Sequence, residues 1–457
     1  VHTTSIMGGG RGAGGGGVIV LAVGTVALLL GCGGSREEAQ PGGDGIGGGG
    51  SPSGSAGGPV TYYEHVLPLV AGRCGGCHAP GGLAPFSLLT YEAARPLAAR
   101  MAAATRSGEM PPWPPAAGCG DFQGVRALSP DEIAILGSWA DGGAPAGEPA
   151  RTPPAAGDGA GAGIGLGAPS ATLDPGAAYQ PKADMTDDYR CFLVDPGLSS
   201  AQNLIGFNVH PGTPASVHHV LLFAVAPADV AAAQAKDAAD PGVGWTCFAG
   251  TGVGSGINAP LTIGGWVPGS GESAFPPGTG IGLATGTWIV MQVHYNLLVQ
   301  RQVSDRTTVD LYYASGPVAT PALILPLANQ TFVIPAGAAA HTVTADLPVL
   351  GAWSLWGVAP HMHLYGTEIK VWIEHPDGSS TCAIDIPRWD FHWQQFYYYR
   401  QAIPVADGDV VRMSCTYDNS ADNQPVVAGH KVPSMPVGWG EKTTDEMCLS
   451  FGYVAPR

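Results

Sequence analysis

The run Cys74-Gly75-Gly76-Cys77-His78 places two thiols and an imidazole within five residues. Two cysteines at this spacing can form thioethers with the two vinyl groups of one haem, and a histidine directly after them is then held beneath the iron. Zinc and thiol–disulfide exchange also use Cys-x-x-Cys, but zinc wants a second Cys or His pair nearby and a thioredoxin-like site wants a βαβ setting. His65 is alone and the surroundings are helical in pattern. The motif therefore reads as covalent haem c attachment through Cys74 and Cys77, with His78 as proximal iron ligand. Met110, in Gly108-Glu109-Met110-Pro111-Pro112-Trp113, is the expected distal ligand, because a proline-rich loop cannot be helical and can present a fixed thioether. His/Met ligation raises the haem potential. Met101, the rival thioether, lies in an Ala-rich helical stretch and reads as packing.

Ligand-type residues concentrate again later in the chain. His218-His219 opens the apolar run 220–225, His294 follows the run 288–293, and His361-Met362-His363 precedes Leu364-Tyr365-Gly366. Met447 lies in Asp445-Glu446-Met447-Cys448. On a strand, residues i and i+2 share a face, so His361 and His363 can reach one metal. Adjacent strand residues point to opposite faces, so His218 and His219 can share a metal only at a bulge or a strand end. Met447 by itself reads as readily as core packing. His210 falls outside any pattern, and His341, His375, His392 and His430 have no evident metal partner.

The elements that must position these groups differ along the chain. Residues 61–70 put Tyr62, Val66, Leu69 and Val70 on one helical face just before the haem motif. Ser129-Pro130-Asp131-Glu132 combines an N-cap serine, proline in the first turn and glutamate at the third position; Ile133, Leu136 and Trp139 follow on one face, and Gly142-Gly143 ends the helix. Residues 59–147 thus form a small all-α haem domain, and 148–170, rich in Pro, Gly and Ala, a linker. From 171 onward, short apolar runs such as 217–225, 287–293 and 369–373 alternate with Gly, Pro and Asp turns, the pattern of β-rich domains. The Ala-rich run 230–239 is the exception, a helix within a loop.

The 457 residues carry 70 Gly, 41 Pro and a net charge of -16, with Lys and Arg together numbering only 20. No basic surface is available for phosphates, so nucleic acid is not an expected partner. Arg11 followed by the apolar run 18–30 resembles an export signal, too short to span a bilayer comfortably. Leu29-Leu30-Gly31-Cys32 resembles a bacterial lipobox, which gives a lipoprotein signal peptide over 1–32, lipidation at Cys32 and a flexible Gly-rich tether over 33–58. The expected location is the bacterial periplasm or cell surface, anchored to a membrane by lipid. An oxidising compartment lets cysteines pair. Cys191 and Cys247 fall in the same half and can do so, whereas Cys119 and Cys382 are candidates for free thiols.

The histidine set as a whole resembles the copper type II, ascorbate-dependent monooxygenases, over residues 189–453. The likeness is strongest in Val217-His218-His219-Val220-Leu221-Leu222-Phe223, in Gln292-Val293-His294-Tyr295 and in Asp445-Glu446-Met447-Cys448; Trp245-Thr246-Cys247 also fits. Residues 59–147 resemble class I cytochrome c domains. The first resemblance implies two all-β, jelly-roll-like sandwich domains at 171–318 and 319–457, each burying its own core, with a copper on each facing across a solvent-filled cleft. It further implies a first copper held by His218, His219 and His294, a second held by His361, His363 and Met447, and a Cys415–Cys448 disulfide. A soft thioether at the second site favours Cu(I), the state that must meet oxygen.

The implied reaction is hydroxylation of a C–H bond of a small organic substrate by O2, with His361, His363 and Met447 at the catalytic copper. Ascorbate or another reductant supplies electrons. A periplasmic donor can feed the fused haem, which is expected to pass electrons to the first copper. Peptide-hydroxylating relatives anchor a carboxylate with an arginine and a tyrosine at positions that are Ala359 and Phe451 here, so a peptide carboxylate is not the expected substrate. The aromatics of 389–399 read as core. The competing reading is a membrane-anchored haem and copper lipoprotein that carries electrons or copper without turnover.

Overall fold

The computed structural model describes residues 58–457 apart from 76, 81–83, 153–164, 183–184, 215, 249, 255–258, 269, 298–302, 392 and 428–429. The export signal, Cys32, most of the tether, His392 and the middle of the 148–170 linker lie outside the described residues. No described helix is long and apolar enough to cross a membrane.

The helical part starts at Thr61. A single π-helical turn, Tyr62–Val66, runs into the α-helix Leu67–Arg73, and Tyr62, Val66 and Val70 are fully buried on the inner face. Leu69, expected on that face, is only half-buried, because spacing by four residues is what the helix turns inward. These side chains pack on Leu136 and Trp139 of the helix Pro130–Asp141. That helix begins with the capping box its sequence announces: the Glu132 N–H donates to Ser129 Oγ at 3.2 Å, and the Ser129 N–H donates to Glu132 Oε2 at 2.7 Å. The helix Ala98–Arg106 packs beside it.

Two β-sandwiches follow. In the first, a sheet ordered Trp245–Thr246, Asp187–Val194, Trp288–Asn296, Val217–Val225, Leu261–Trp266 faces one built on Thr308–Tyr313, Gln202–His210 and Thr279–Leu283. Val220 and Met291 from one sheet meet Leu204 and Phe207 from the other in a common core. The short strand Thr320–Pro321 pairs with Thr279 and Gly280, so this sandwich takes in residues as far as Pro321. The run Val230–Ala239 is a helix on its edge.

In the second sandwich, the sheet Leu323–Asn329, Cys448–Pro456, Trp353–His361, Tyr397–Val405 faces the sheet His341–Pro348, Val410–Tyr417, Gly366–Glu374, Ser380–Ile386. The two halves do not keep separate cores as expected. Tyr453 and Ala455 of the last strand join the first core, while Val454 between them packs into the second. Successive strand residues face opposite sides, so this strand is covered by apolar surface on both. The Tyr453 hydroxyl meets Thr279 Oγ1 at 2.9 Å across the boundary.

Three disulfides are present among the described residues: Cys191–Cys247, Cys415–Cys448 and Cys119–Cys382. The last corrects the expectation that Cys119 and Cys382 are free. Their separation of 263 residues hid the pairing. The loop carrying Cys119 leaves the helical part and lies on the second sandwich. Phe122 enters that core and stacks on Tyr399 at 5.1 Å, and the Gln123 N–H donates to the Tyr398 carbonyl at 2.8 Å.

Candidate metal centres

His218, His219 and His294 form one group. Val217–Val225 and Trp288–Asn296 are neighbouring antiparallel strands, and His219 lies directly opposite His294. Their register shifts between Val217 and His219, a bulge at His218. The bulge supplies the condition adjacent histidines need, since it re-aims one of the pair onto its neighbour's side. His219 Nδ1 lies 3.3 Å from His218 Nδ1 and 3.4 Å from His294 Nδ1. Imidazole nitrogens coordinated at roughly 2.0–2.1 Å around one tetrahedral ion stand about this far apart. All three residues offer a ligand atom within 4.8 Å of the others.

The groups around this set fix which nitrogen faces inward. Asp187 Oδ1 accepts from His294 Nε2 at 2.9 Å, so the proton sits on Nε2 and the Nδ1 lone pair is free for a metal. Tyr189 stacks on the His294 ring at 4.1 Å, the two planes nearly parallel. Burial, and then the neighbouring His294 and His218, push His219 well below the usual imidazole range, so it is a neutral donor at ordinary pH.

His361 and His363 form the second group. The strand Trp353–His361 ends on His361, and His363 stands two residues on. Met362 turns the other way and is fully buried in the core, so the alternation persists past the strand end. The two imidazoles lie 5.0 Å apart, nearly perpendicular. Gln394 Nε2 donates to the Phe391 carbonyl at 2.7 Å, which turns its Oε1 onto His361 Nδ1 at 2.5 Å. An amide oxygen only accepts, so His361 carries its proton on Nδ1 and presents Nε2. The Asp445 carbonyl, 3.2 Å from His363 Nδ1, does the same for the second ring. Burial pushes His361 down to about 4 and His363 to about 3, with His361 adding to the second shift.

Met447 is tied to this group through Glu446. One oxygen of that fully buried carboxylate accepts the N–H of His363 at 2.9 Å and the N–H of Met447 at 3.1 Å; the other accepts the Tyr365 N–H at 2.7 Å. Burial pushes the Glu446 carboxyl up to about 8 against these donors. Two imidazoles with a thioether would form a donor set suited to Cu(I), and three imidazoles suit copper or zinc. The residues present therefore fit copper at both groups.

The two groups are close neighbours. Phe391, itself buried, stacks on His218 at 4.4 Å and meets His363 edge-on at 5.9 Å. Residues 441–447 touch both sides: the Tyr189 hydroxyl donates to the Glu441 carbonyl at 2.6 Å, and Thr443 Oγ1 donates to Asp187.

A third feature lies in the helical part. A cavity of about 400 Å³ is lined by Cys74, Cys77 and His78, by Leu88, Leu97 and Leu136, by both Met101 and Met110, and by Arg100, Arg126 and Trp393. Cys74 and Cys77 are unbonded. His78 Nδ1 meets the Phe86 carbonyl at 3.3 Å, which leaves Nε2 for an axial bond. Apolar walls, two thiols, an imidazole, two thioethers and cationic side chains are what a thioether-linked haem with anionic propionates requires. Met101, read as packing, reaches the cavity as well, because its helix Ala98–Arg106 forms one wall.

Residues 313–455 match the family model of the copper type II ascorbate-dependent monooxygenase C-terminal domain. Dopamine beta-hydroxylase of Canis lupus familiaris is 26% identical over 212 residues, 42% of this chain and 31% of that protein. Dopamine beta-hydroxylase of Bos taurus is 24% identical over 209 residues, 42% of this chain and 32% of that protein. Tyramine beta-hydroxylase of Caenorhabditis briggsae is 23% identical over 212 residues, 42% of this chain and 34% of that protein. The matches support the copper type II ascorbate-dependent monooxygenase family. The matched stretch spans about a third of the length of each of these relatives.

Within that family likeness, several residues of the site carried no recognised role in the sequence. Asp187 opens a strand in a buried acidic pair, Asp187-Asp188, and Glu446 stands in a motif whose methionine and cysteine alone carried an expected role. Gln394 and Phe391 sit in an aromatic run that reads as core, and Trp389, Tyr397 and Tyr399 are indeed core. His210 pairs with Asp310 at 2.9 Å on the surface, and His375 bridges Asp409 and Thr381, so neither joins a metal group.

Proposed function

We propose that the protein is a copper-dependent monooxygenase that hydroxylates a C–H bond of a small organic substrate, with electrons relayed through a c-type haem held at Cys74 and Cys77. The convergence of three Nδ1 atoms from His218, His219 and His294 beside a second pair of neutral imidazoles carries this reading. In this reading the first copper is held by His218, His219 and His294, and the second by His361, His363 and Met447. Copper supplies one-electron redox chemistry towards O2. The overall balance is R–H + O2 + two electrons + two protons giving R–OH and water, so a reductant such as ascorbate is a co-substrate. His78 and Met110 are the proposed iron ligands.

The chain's own residues prepare this chemistry. Asp187, Asp445 and Gln394 each fix one imidazole's tautomer, so ligand lone pairs are aimed before any metal arrives. Phe391 lies against His218 of one group and His363 of the other. Ala359 pairs with Phe451 across neighbouring strands, which leaves an apolar pair where a carboxylate anchor would stand. A substrate without a carboxylate fits that surface, and the amines in the relatives' names, dopamine and tyramine, are the natural first compounds to try. Export, lipidation at Cys32 and attachment to a membrane belong to the same reading.

Metal analysis and oxygen uptake test it. About two copper per chain, a haem c spectrum and substrate-dependent O2 consumption with stoichiometric hydroxylated product are expected. Full copper loading with no substrate-dependent uptake under any reductant supports the non-catalytic carrier instead.

A further inference from the structure

The turn Lys442–Asp445 is bonded to both histidine groups. The Asp445 N–H donates to the Lys442 carbonyl at 2.8 Å, and the Lys442 N–H donates to Asp445 Oδ2 at 3.1 Å, so the turn is closed by its backbone and by one side chain. The Gly440 N–H donates to the Glu446 carbonyl at 3.1 Å and closes the base of the loop. Thr443, at a central position of the turn, is only 1% exposed, and its hydroxyl donates to Asp187 Oδ1. The same oxygen accepts the Nε2–H of His294 at 2.9 Å. At the end of the turn, the Asp445 carbonyl accepts the Nδ1–H of His363 at 3.2 Å. From His294 to His363 the link is a shared carboxylate oxygen, the Thr443 hydroxyl, turn backbone from 443 to 445 and one further hydrogen bond. A second strut runs beside it: Tyr189 stacks on His294 at 4.1 Å, and its hydroxyl donates to the Glu441 carbonyl at 2.6 Å.

We infer that Thr443 couples the two groups: it is the positioning residue through which occupation of the first group raises the affinity of the second for copper, and the reverse. The inference rests on the reading of both groups as copper sites. When His294 Nδ1 binds a cation, the ring loses electron density and its Nε2–H becomes a stronger donor to Asp187. A carboxylate held more firmly by His294 holds the Thr443 hydroxyl in one place, and with it the turn and the Asp445 carbonyl. His363 is then already aimed when its own metal arrives, so less freedom is lost on binding. Coupling between binding sites is reciprocal, so occupation at His363 favours the first group by the same factor. No covalent bond changes, and the protons stay on His294 Nε2 and His363 Nδ1. Each group's own affinity, taken with the other disabled, carries none of this coupling.

Cu(I) is the probe, titrated anaerobically into the full-length protein by calorimetry in competition with a Cu(I) chelator. His361→Ala gives the constant of the first group alone, and His218→Ala that of the second. The two-site constant of the protein with both groups intact, divided by the product of these two, is the coupling ratio. Two cations repel through space whichever residue stands at 443, so the ratio is compared between Thr443 and its variants, each made in all three backgrounds. Thr443→Val is expected to lower the ratio by about fivefold or more. Thr443→Ser, which keeps the hydroxyl, is expected to hold it. Thr443→Ala removes the same hydroxyl without setting a methyl group against the carboxylate, and serves where Thr443→Val does not fold. A ratio unchanged by loss of the hydroxyl, or one that falls as far in Thr443→Ser, overturns the coupling. Failure of either single-group variant to bind Cu(I) overturns the copper reading beneath it, so the two failures are distinct.

Discussion

Glu446 Oε2 accepts the backbone N–H of His363 at 2.9 Å, holding the turn after the His-x-His pair against the strand that begins at Cys448. The same oxygen accepts the Met447 N–H, so one buried carboxyl ties the backbone of residues 363 and 447 together. Glu446→Gln keeps one acceptor and replaces the other with an N–H pair that faces backbone donors. A loss of about 3 kcal/mol in folding stability is expected, the cost of leaving buried donors unsatisfied. Denaturant unfolding measures it. Copper titration should show the second group weakened and the first retained; equal weakening of both would argue that Glu446 only supports the fold.

Asp187 stands in the corresponding place for the first group. Its carboxylate receives the His294 Nε2–H and the Thr443 hydroxyl, and these bonds hold it below the usual carboxylate range despite burial. Asp187→Asn can present an N–H to His294 and so turn the ring's lone pair away from His219. Copper affinity at the first group should fall by about 10- to 100-fold, with the second group unaffected. Isothermal titration of the two sites separately, in His361→Ala and His218→Ala backgrounds, reads the difference.

The ligand types and the sandwich architecture were legible because they depend on local pattern. A capping box, alternating apolar runs and a His-x-His pair each announce their geometry within a few residues. The bulge at His218 was legible only as a requirement, since one extra residue in a strand leaves no mark in the sequence itself. The partners were not legible. Gln394, Phe391 and Glu446 act through loops whose course is set by contacts with distant strands, and aromatic runs look alike whether they fill a core or separate two metal groups. The shared core failed for the same reason: the last strand's alternation shows two apolar faces, but not that the second face meets the other sandwich.

The Cys119–Cys382 bond is the covalent tie between the helical part and the second sandwich. Opening so long a loop in the unfolded chain restores much conformational freedom. Cys119→Ser combined with Cys382→Ser should cost about 2–5 kcal/mol of stability. The docking loop should loosen first, since only noncovalent contacts, such as the Phe122 stack and the Ala116 and Gln123 hydrogen bonds, then hold it. Limited proteolysis within 113–126 is expected to appear well below the global transition. Unchanged protection of that loop would mean that packing of Phe122, not the disulfide, secures the docking.

Glu441 sets a pH dependence in the segment that spans both histidine groups. Burial pushes its carboxyl up to about 7, and the Asp445 carboxylate beside it adds to the shift. A carboxyl whose folded value lies above its unfolded one binds more protons in the folded state between those values. Its contribution is therefore full at low pH and is lost as pH rises from the ordinary carboxylate range through about 7. Stability measured by denaturant at a series of pH values should decline across that window in the wild type. Glu441→Gln, neutral throughout, should flatten the decline and leave the protein relatively more stable above neutrality. The Tyr189 hydroxyl bonds to the backbone carbonyl of residue 441, so the substitution leaves that link to the first histidine group in place. A wild-type profile that rises with pH across the window would rule out this assignment.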